Sequence, residues 1–139
     1  MTRFSFFEWF YNKTMITFDR SNIASAFRAY RKADKLLKSG VSIVIFPEGQ
    51  VPNKQVRLGE FKLGAFKLAV HNKAPIIPIT FIDNKIKYPE DQLKLKLGVL
   101  RVIMHSPVET KSIKITDVNR LKNKVFRTIN TTLIDYGYK

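Results

Sequence analysis

Apolar residues along the chain recur at two spacings, one typical of strands and one typical of helices. Val41–Phe46 is a run of mostly β-branched apolar residues, and it predicts a buried strand. Ile76–Phe81 predicts a second buried strand, in which Pro78 must lie at an edge or a bulge because proline has no N–H to donate. Shorter segments predict further strands at Met15–Phe18, Leu93–Leu97 and Val99–Met104.

Three segments carry apolar residues at helical spacing and predict helices. The first follows a capping residue, Ser21 or Asn22, and ends at Gly40. The second runs from about Gly59 to His71, and the last starts near Asp117. The predicted inward positions are Ile23, Ala26, Phe27, Tyr30, Ala33 and Leu37 in the first helix, Phe61, Ala65, Leu68 and Ala69 in the second, and Val118, Leu121, Val125, Ile129 and Leu133 in the last.

The alternation of strands and helices predicts an α/β fold with a mostly parallel or mixed sheet flanked by helices. The chain has 139 residues, of which 45% are hydrophobic, and this is enough for one compact domain with its own core. Neither an internal repeat nor a long linker divides it. We therefore expect residues 1–139 to form a single domain.

Composition excludes several kinds of function. The chain has no cysteine, which rules out disulfides, thiolate metal sites and a cysteine nucleophile. No apolar run approaches the roughly 18 residues needed to span a bilayer, and the start lacks the pattern of a signal peptide. The sequence is therefore expected neither to span a membrane nor to be secreted.

The formal net charge of +14 points to an anionic partner such as a membrane surface, a nucleic acid or a phosphorylated substrate. Lysines and arginines are spread over the whole length, and a typical single lysine only solvates an exposed helix face. Between Arg3 and Lys13, aromatic residues crowd the N-terminus. These rings fit a segment resting in a membrane interface and fit packing on the core equally well, so both interpretations stay open.

Charged side chains follow two of the predicted strands. Glu48 comes directly after the apolar run, between Pro47 and Gly49, which end the strand, and Arg20 follows the first strand. If the two strands are parallel neighbours, both side chains lie at one sheet edge, where α/β folds bind ligands. A guanidinium and a carboxylate together suit a polyol phosphate, because one binds phosphate oxygens and the other accepts hydrogen bonds from hydroxyl groups.

Two further cations lie close to this predicted site. Arg57 and Lys62 lie in the loop and at the start of the following helix, where backbone N–H groups and the helix dipole favour an anion. The spacing alone fits a structural ion pair between Arg20 and Glu48 as well as it fits a ligand site. Both interpretations are kept at this point.

Four segments resemble, in the same order, sequence blocks of the 1-acyl-sn-glycerol-3-phosphate acyltransferases of phospholipid synthesis. Ile16–Arg20 resembles the second block of that family and Phe46–Gly49 resembles the third. Phe61–Phe66 matches the segment that follows, and Pro75–Ile79 resembles the fourth block. Four blocks in family order are far more specific than the short third block alone.

The resemblance implies a glycerol-phosphate acyltransferase fold and transfer of a fatty acyl group from acyl-CoA or acyl carrier protein to 1-acylglycerol 3-phosphate. Arg20, Glu48 and Gly49 would then hold the glycerol-phosphate acceptor. Lys62 and Arg57 are weaker candidates for binding the same phosphate. No metal ion and no cofactor besides the acyl donor is implied. The enzyme is expected to bind peripherally to the anionic surface of the cell membrane, on the cytoplasmic face, without a nucleic acid partner.

The catalytic base of such enzymes is a histidine in a first block, followed by four residues and then an aspartate. The chain lacks this block, because the fifth residue after His71 is Ile76 and the fifth after His105 is Thr110. We therefore predict no catalytic residue within the chain. It is expected to be N-terminally truncated, to hold the acceptor-binding part and to be nearly inactive alone.

A second hypothesis comes from a different class of function. The chain would be a non-enzymatic basic module that binds an anionic membrane or nucleic acid through its spread charge and its aromatic N-terminus. Nucleic-acid modules more often interleave aromatic and basic residues, whereas here the rings crowd one end. A third expectation is that the chain does not fold stably alone, because truncation would expose a sheet edge.

Overall fold

The structure is a computed structural model that describes residues 15–16, 19, 22–50, 56–87 and 98–138. The chain divides into two compact units, Met1–Val44 and Ile45–Lys139, and each is described by itself. Arg20, the N-terminal aromatic residues and the predicted strand Leu93–Leu97 lie outside the described residues, as does the second half of Met15–Phe18. The expectation of a single domain over residues 1–139 stays a prediction.

Helix α1 of the first unit spans Ile23–Lys38. It starts after Asn22, whose Oδ1 accepts a hydrogen bond from the N–H of Ser25 at 3.2 Å and so caps the helix. It is closed by Gly40, which has a φ of +82° and donates its N–H to the carbonyl of Leu37 at 3.0 Å. Of the two predicted capping residues, Asn22 is thus the cap, and the predicted end of α1 is confirmed.

The face of α1 that was predicted to be inward is largely exposed. Ala33 is buried, but Ile23 is 89% exposed and Phe27 is 60% exposed. The prediction was wrong for these two residues and for Ala26, which is also exposed, because helical spacing only identifies residues that share a face. Burial also requires a partner element that covers the face.

The second unit is organised around its C-terminal helix. Its elements are α2 (Gly64–His71), β1 (Ile79–Phe81), α3 (Asn84–Lys87), β2 (Val102–Met104) and α4 (Val118–Asp135), with a 3-10 turn at Ile115–Asp117 before α4. Helix α4 starts where the sequence predicted, and all five of its predicted inward positions are buried. They form one apolar cluster with Phe61, Phe66 and Val70. Among the described residues, no helix is both long and apolar enough to cross a membrane.

Helix α2 begins at Gly64, so the predicted start near Gly59 was wrong. The residues before α2 are held in another way, because the N–H groups of Gly59 and Lys62 donate to the turn at residues 47–48. Phe61 is nevertheless buried in the core, as its place in the predicted inward stripe required.

Strands β1 and β2 pair antiparallel, which a mixed sheet allows. The predicted strand Ile76–Phe81 is divided at Pro78: Ile76 forms an isolated bridge with Val108, and β1 begins after the proline. Pro78 has no N–H, but its carbonyl accepts the N–H of His105 at 2.9 Å. The strand is therefore interrupted at this proline, and its predicted place at an edge or a bulge stays a prediction.

Two other predicted strands need correction. Val41–Phe46 is not a strand and has no strand partner among the described residues, and Val44 is 76% exposed. A run of β-branched residues suits a strand, but a ladder also needs a neighbouring backbone to pair with. The strand predicted over Val99–Met104 is limited to β2, because the N–H of Arg101 donates to the side chain of Asp83 instead of to a ladder.

Candidate functional site

The segment Phe46–Gly49 forms a tight turn whose geometry requires the glycine. The N–H of Gly49 donates to the carbonyl of Phe46 at 3.2 Å, and Gly49 has a φ of +70°. Residues with a side chain are strained in this left-handed conformation, whereas glycine adopts it readily. The turn therefore fixes the backbone on both sides of Glu48.

Two hydrogen bonds close this turn onto the segment that leads into α2. Glu48 Oε2 accepts the N–H of Gly59 at 2.5 Å, and the carbonyl of Pro47 accepts the N–H of Lys62 at 2.8 Å. A carboxylate that accepts a backbone N–H forms one of the stronger hydrogen bonds in proteins. The turn and residues 59–62 are therefore held together at two points.

Three of the five predicted site residues adjoin in this arrangement. Glu48 is half-buried, and among the described residues no partner is recorded for its Oε1. Lys62 is exposed, and a Cβ added to Gly49 would lie 3.7 Å from Lys62 Cγ. The turn thus carries a carboxylate oxygen that can accept hydrogen bonds. The same turn lies beside the aliphatic part of the Lys62 side chain, whose ammonium can bind an anion.

The other two predicted site residues are placed differently. Arg57 donates from Nε to Asn130 Oδ1 at 2.9 Å and from Nη1 to the carbonyl of Tyr138 at 3.0 Å, so its guanidinium is bound to the C-terminal part of the unit. Arg20 lies outside the described residues. The roles of all five residues in binding a ligand stay predictions.

Both histidines occupy the places that their sequence positions indicated. His71 is the last residue of α2 and is exposed. His105 follows β2, and its Nε2 forms a 2.8 Å hydrogen bond with Oγ1 of Thr80, which is buried. This bond joins the end of β2 to β1 and satisfies a buried hydroxyl. In the part of the chain that the structure describes, no group of three or more His, Cys, Asp or Glu residues could hold a metal ion.

A second carboxylate, which sequence reasoning missed, is bound tightly by an arginine. Asp83 is 4% exposed and accepts hydrogen bonds from Arg101 N–H at 2.8 Å, Nε at 2.9 Å and Nη2 at 2.6 Å. The side-chain hydrogen bonds from Arg101 are the main cause that lowers the pKa of Asp83 from 3.8 to about 2. The Arg101 guanidinium also lies over the Tyr136 ring, 5.3 Å from its centroid.

Tyr138 connects the end of the chain to the same region. Its hydroxyl donates to the carbonyl of Ile82, its N–H donates to the carbonyl of Leu133 at 3.0 Å, and burial raises its pKa. Spacing could not predict these contacts, because the hydroxyl and its acceptor lie 56 positions apart. The one available signal was Asp83 itself, which directly precedes Asn84 at the start of α3, where capping residues occur.

Comparisons with known proteins agree with the sequence resemblance. The family model described as Acyltransferase matches residues 1–82. The probable 1-acyl-sn-glycerol-3-phosphate acyltransferase of Mycoplasma pneumoniae is 27% identical over 126 residues, which cover 85% of this chain and 47% of the relative. The 1-acyl-sn-glycerol-3-phosphate acyltransferase alpha of Ovis aries is 32% identical over 125 residues, which cover 84% of this chain and 43% of the relative.

The fold is also similar to that of a solved structure. The crystal structure of the 1-acyl-sn-glycerophosphate acyltransferase PlsC from Thermotoga maritima matches with a TM-score of 0.69 and 24% identity, over 81% of this chain and 45% of that one. This match confirms the α/β acyltransferase fold for the shared part. The chain spans about half the length of these relatives, or less. Because the family model covers more than half of its residues, the chain belongs to the acyltransferase family.

Proposed function

We propose that the chain forms the acceptor-binding part of an enzyme that transfers a fatty acyl group from an acyl thioester to 1-acylglycerol 3-phosphate. The free hydroxyl oxygen of the acceptor attacks the thioester carbonyl, an ester bond replaces the carbon–sulfur bond, and the thiol leaves with the hydroxyl proton. The product is phosphatidate. Family membership supports the reaction class, and the relatives' names support the acceptor.

The observation that carries this proposal is the turn Phe46–Gly49 closed onto residues 59–62. Gly59 fixes one oxygen of the Glu48 carboxylate, and the second oxygen accepts a hydrogen bond from a hydroxyl of the glycerol. The Lys62 ammonium binds the phosphate, and Arg20 and Arg57 are proposed as further phosphate ligands. Binding an anion here is also favoured by the nearby start of α2.

The remaining parts of the proposal concern the donor and the location. The acyl donor is acyl-CoA or acyl carrier protein, and no metal ion or other cofactor takes part. The net charge of +14 supports peripheral binding to an anionic membrane surface, on the cytoplasmic face of the cell membrane. Neither histidine is followed by an aspartate at the spacing of a catalytic base, so the chain alone is proposed to bind the acceptor but to transfer little.

Binding of glycerol 3-phosphate, measured by isothermal titration calorimetry, tests the acceptor site. Glu48→Gln keeps an oxygen that can accept the N–H of Gly59 but removes the negative charge, so we expect about tenfold weaker binding. Glu60→Gln is the matched control, because it removes the same charge from a neighbouring, 79% exposed side chain. Equal affinities of the wild type and Glu48→Gln, or an equal loss in both variants, would place the acceptor elsewhere.

Acyl transfer itself is a separate measurement. We expect that the chain by itself transfers little of the acyl group from acyl-CoA to 1-acylglycerol 3-phosphate. Transfer should become rapid once an upstream segment with a histidine and an aspartate at the family spacing is added. Rapid transfer by the chain alone would contradict the proposal that these residues bind the acceptor but do not catalyse the transfer.

A further inference from the structure

The contacts of Arg57 connect the candidate site to the end of the chain. Asn130 lies on α4 and accepts a hydrogen bond from Arg57 Nε, and the carbonyl of Tyr138 accepts one from Nη1. Both partners are half-buried. The two bonds use two of the five N–H donors of the guanidinium and act on different nitrogens, so they fix the orientation of its plane. Among the described residues, no partner is recorded for Nη2.

Arg57 also lies just before the segment that the Glu48 turn binds. Gly59 donates to Glu48, and Lys62 donates to the carbonyl of Pro47. The stretch from Arg57 to Lys62 is therefore attached at three points, two on the turn and one on the C-terminal part of the unit. The third point therefore holds Arg57 two positions before Gly59, the residue that binds Glu48.

The C-terminal attachment is itself held firmly. The Tyr138 hydroxyl donates to the carbonyl of Ile82, whose N–H donates to the carbonyl of Arg101 at 3.0 Å. Arg101 binds the buried Asp83 with its side chain. Tyr138 is thus a fixed support for Arg57, although it is the residue before the last one of the chain.

We propose that Asn130 and Tyr138 are positioning residues for the acceptor phosphate and that they act through Arg57. This inference rests on the proposed function. A free arginine loses side-chain entropy when it binds a phosphate, whereas an arginine that the fold already holds at two nitrogens has lost that entropy on folding. Its remaining N–H donors are then presented to the ligand in one orientation, and affinity rises without a new contact.

The test is the affinity for glycerol 3-phosphate of the complete chain and its variants, measured by isothermal titration calorimetry. Asn130→Leu removes the oxygen that binds Arg57 at similar side-chain size, and we expect about fivefold weaker binding. Asn130→Asp keeps an oxygen that can hold Arg57 but adds a negative charge beside the phosphate, so we expect a loss of affinity that is smaller than that of Asn130→Leu. Asn123→Leu is the matched control on an exposed position of α4, and its affinity should stay within about twofold of the wild type.

Two further variants separate positioning from general stability. Tyr138→Phe removes the hydroxyl bond to Ile82 but keeps the carbonyl that binds Arg57, so we expect a smaller loss of affinity, about twofold. Arg57→Gln weakens binding by itself. Adding Asn130→Leu to Arg57→Gln should cause no further loss, because Asn130 acts through Arg57.

The outcomes distinguish this inference from the proposed function. Suppose that the wild type binds glycerol 3-phosphate. If Asn130→Leu then lowers the melting temperature without changing the affinity, or weakens binding equally with and without Arg57, the inference is overturned and the acceptor site stands. If the wild type does not bind glycerol 3-phosphate at millimolar concentration, the proposed function fails, and the inference fails with it.

Discussion

Glu48 and Asp83 both follow an apolar segment and both accept a backbone N–H, yet their surroundings differ in charge. Asp83 is buried, and Arg101 binds it with a backbone and two side-chain donors. Glu48 is half-buried and accepts one backbone N–H, from Gly59. Among the described residues, no ion pair is recorded for Glu48. One carboxylate has its charge matched within the fold, and the other keeps capacity for a partner.

This difference suits Asp83 to stabilising the fold and suits Glu48 to binding a ligand. A buried carboxylate needs a cation and hydrogen bonds because removal from water disfavours its charge. A carboxylate that is only half-buried and has an oxygen without a recorded partner can still bind a hydroxyl from outside. In the sequence the two residues look alike, since both follow apolar residues at the end of a segment.

The largest expected effect is on stability at Asp83. Asp83→Asn removes the charge that Arg101 binds with its backbone and side-chain donors, while the Arg101 side chain itself is half-exposed. We therefore expect a fall in melting temperature of about 5 °C. Glu48→Gln should change the melting temperature by less than about 2 °C. Circular dichroism during heating at neutral pH measures both. Equal shifts in the two variants would show that the two carboxylates do not differ in this way.

The next expected effect is a loss of stability at low pH that Asp83 causes. Its pKa is about 2 in the folded chain against an ordinary value of 3.8. A lowered pKa means that the folded state holds the carboxylate more strongly than the unfolded chain does. This stabilisation is complete above about pH 4 and is lost as the pH falls towards about 2. The melting temperature of the wild type should therefore fall more steeply over this range than that of Asp83→Asn.

Glu48→Gln serves as the control for the acid titration. Its melting temperature is expected to follow the wild-type curve, because this variant keeps Asp83 and its bonds to Arg101. Parallel curves for the wild type and Asp83→Asn would contradict the assignment of the acid dependence to Asp83.

The sequence correctly predicted the buried face of a helix where another element of the same unit covers that face. Helical spacing predicted the start of α4 and its five buried positions, because α4 packs against α2 and Phe61 in one core. The same spacing failed for Ile23 and Phe27 on α1. Periodicity is a local property, whereas burial depends on a second element that the pattern does not contain.

In the candidate site, too, local features could be predicted from the sequence and long-range contacts could not. Proline and glycine restrict the backbone locally, so the turn that carries Glu48 could be predicted from the sequence. The bonds from Glu48 to Gly59 and from Arg57 to Asn130 join distant positions, and spacing does not show which distant groups meet. The expected meeting of Arg20 with Glu48 is of this second kind and stays a prediction.

A smaller loss of stability than that of Asp83→Asn is expected for two glycine variants, which test whether the Glu48 turn matters to binding beyond its role in the fold. Gly40 and Gly49 both have a positive φ, of +82° and +70°. Alanine at either position is strained by about 1 kcal/mol, so Gly40→Ala and Gly49→Ala should lower the free energy of unfolding by similar amounts. Urea unfolding measures this loss, which is expected to be smaller than that of Asp83→Asn.

Only one of these two glycine variants should also weaken the binding of glycerol 3-phosphate. A Cβ at Gly40 meets nothing within 4 Å, whereas a Cβ at Gly49 lies 3.7 Å from Lys62 Cγ and strains the turn beside Glu48. Calorimetric titration should therefore show weaker binding for Gly49→Ala and wild-type affinity for Gly40→Ala. If Gly40→Ala lost as much affinity, binding would follow overall stability, and the geometry of the Glu48 turn would not be its cause.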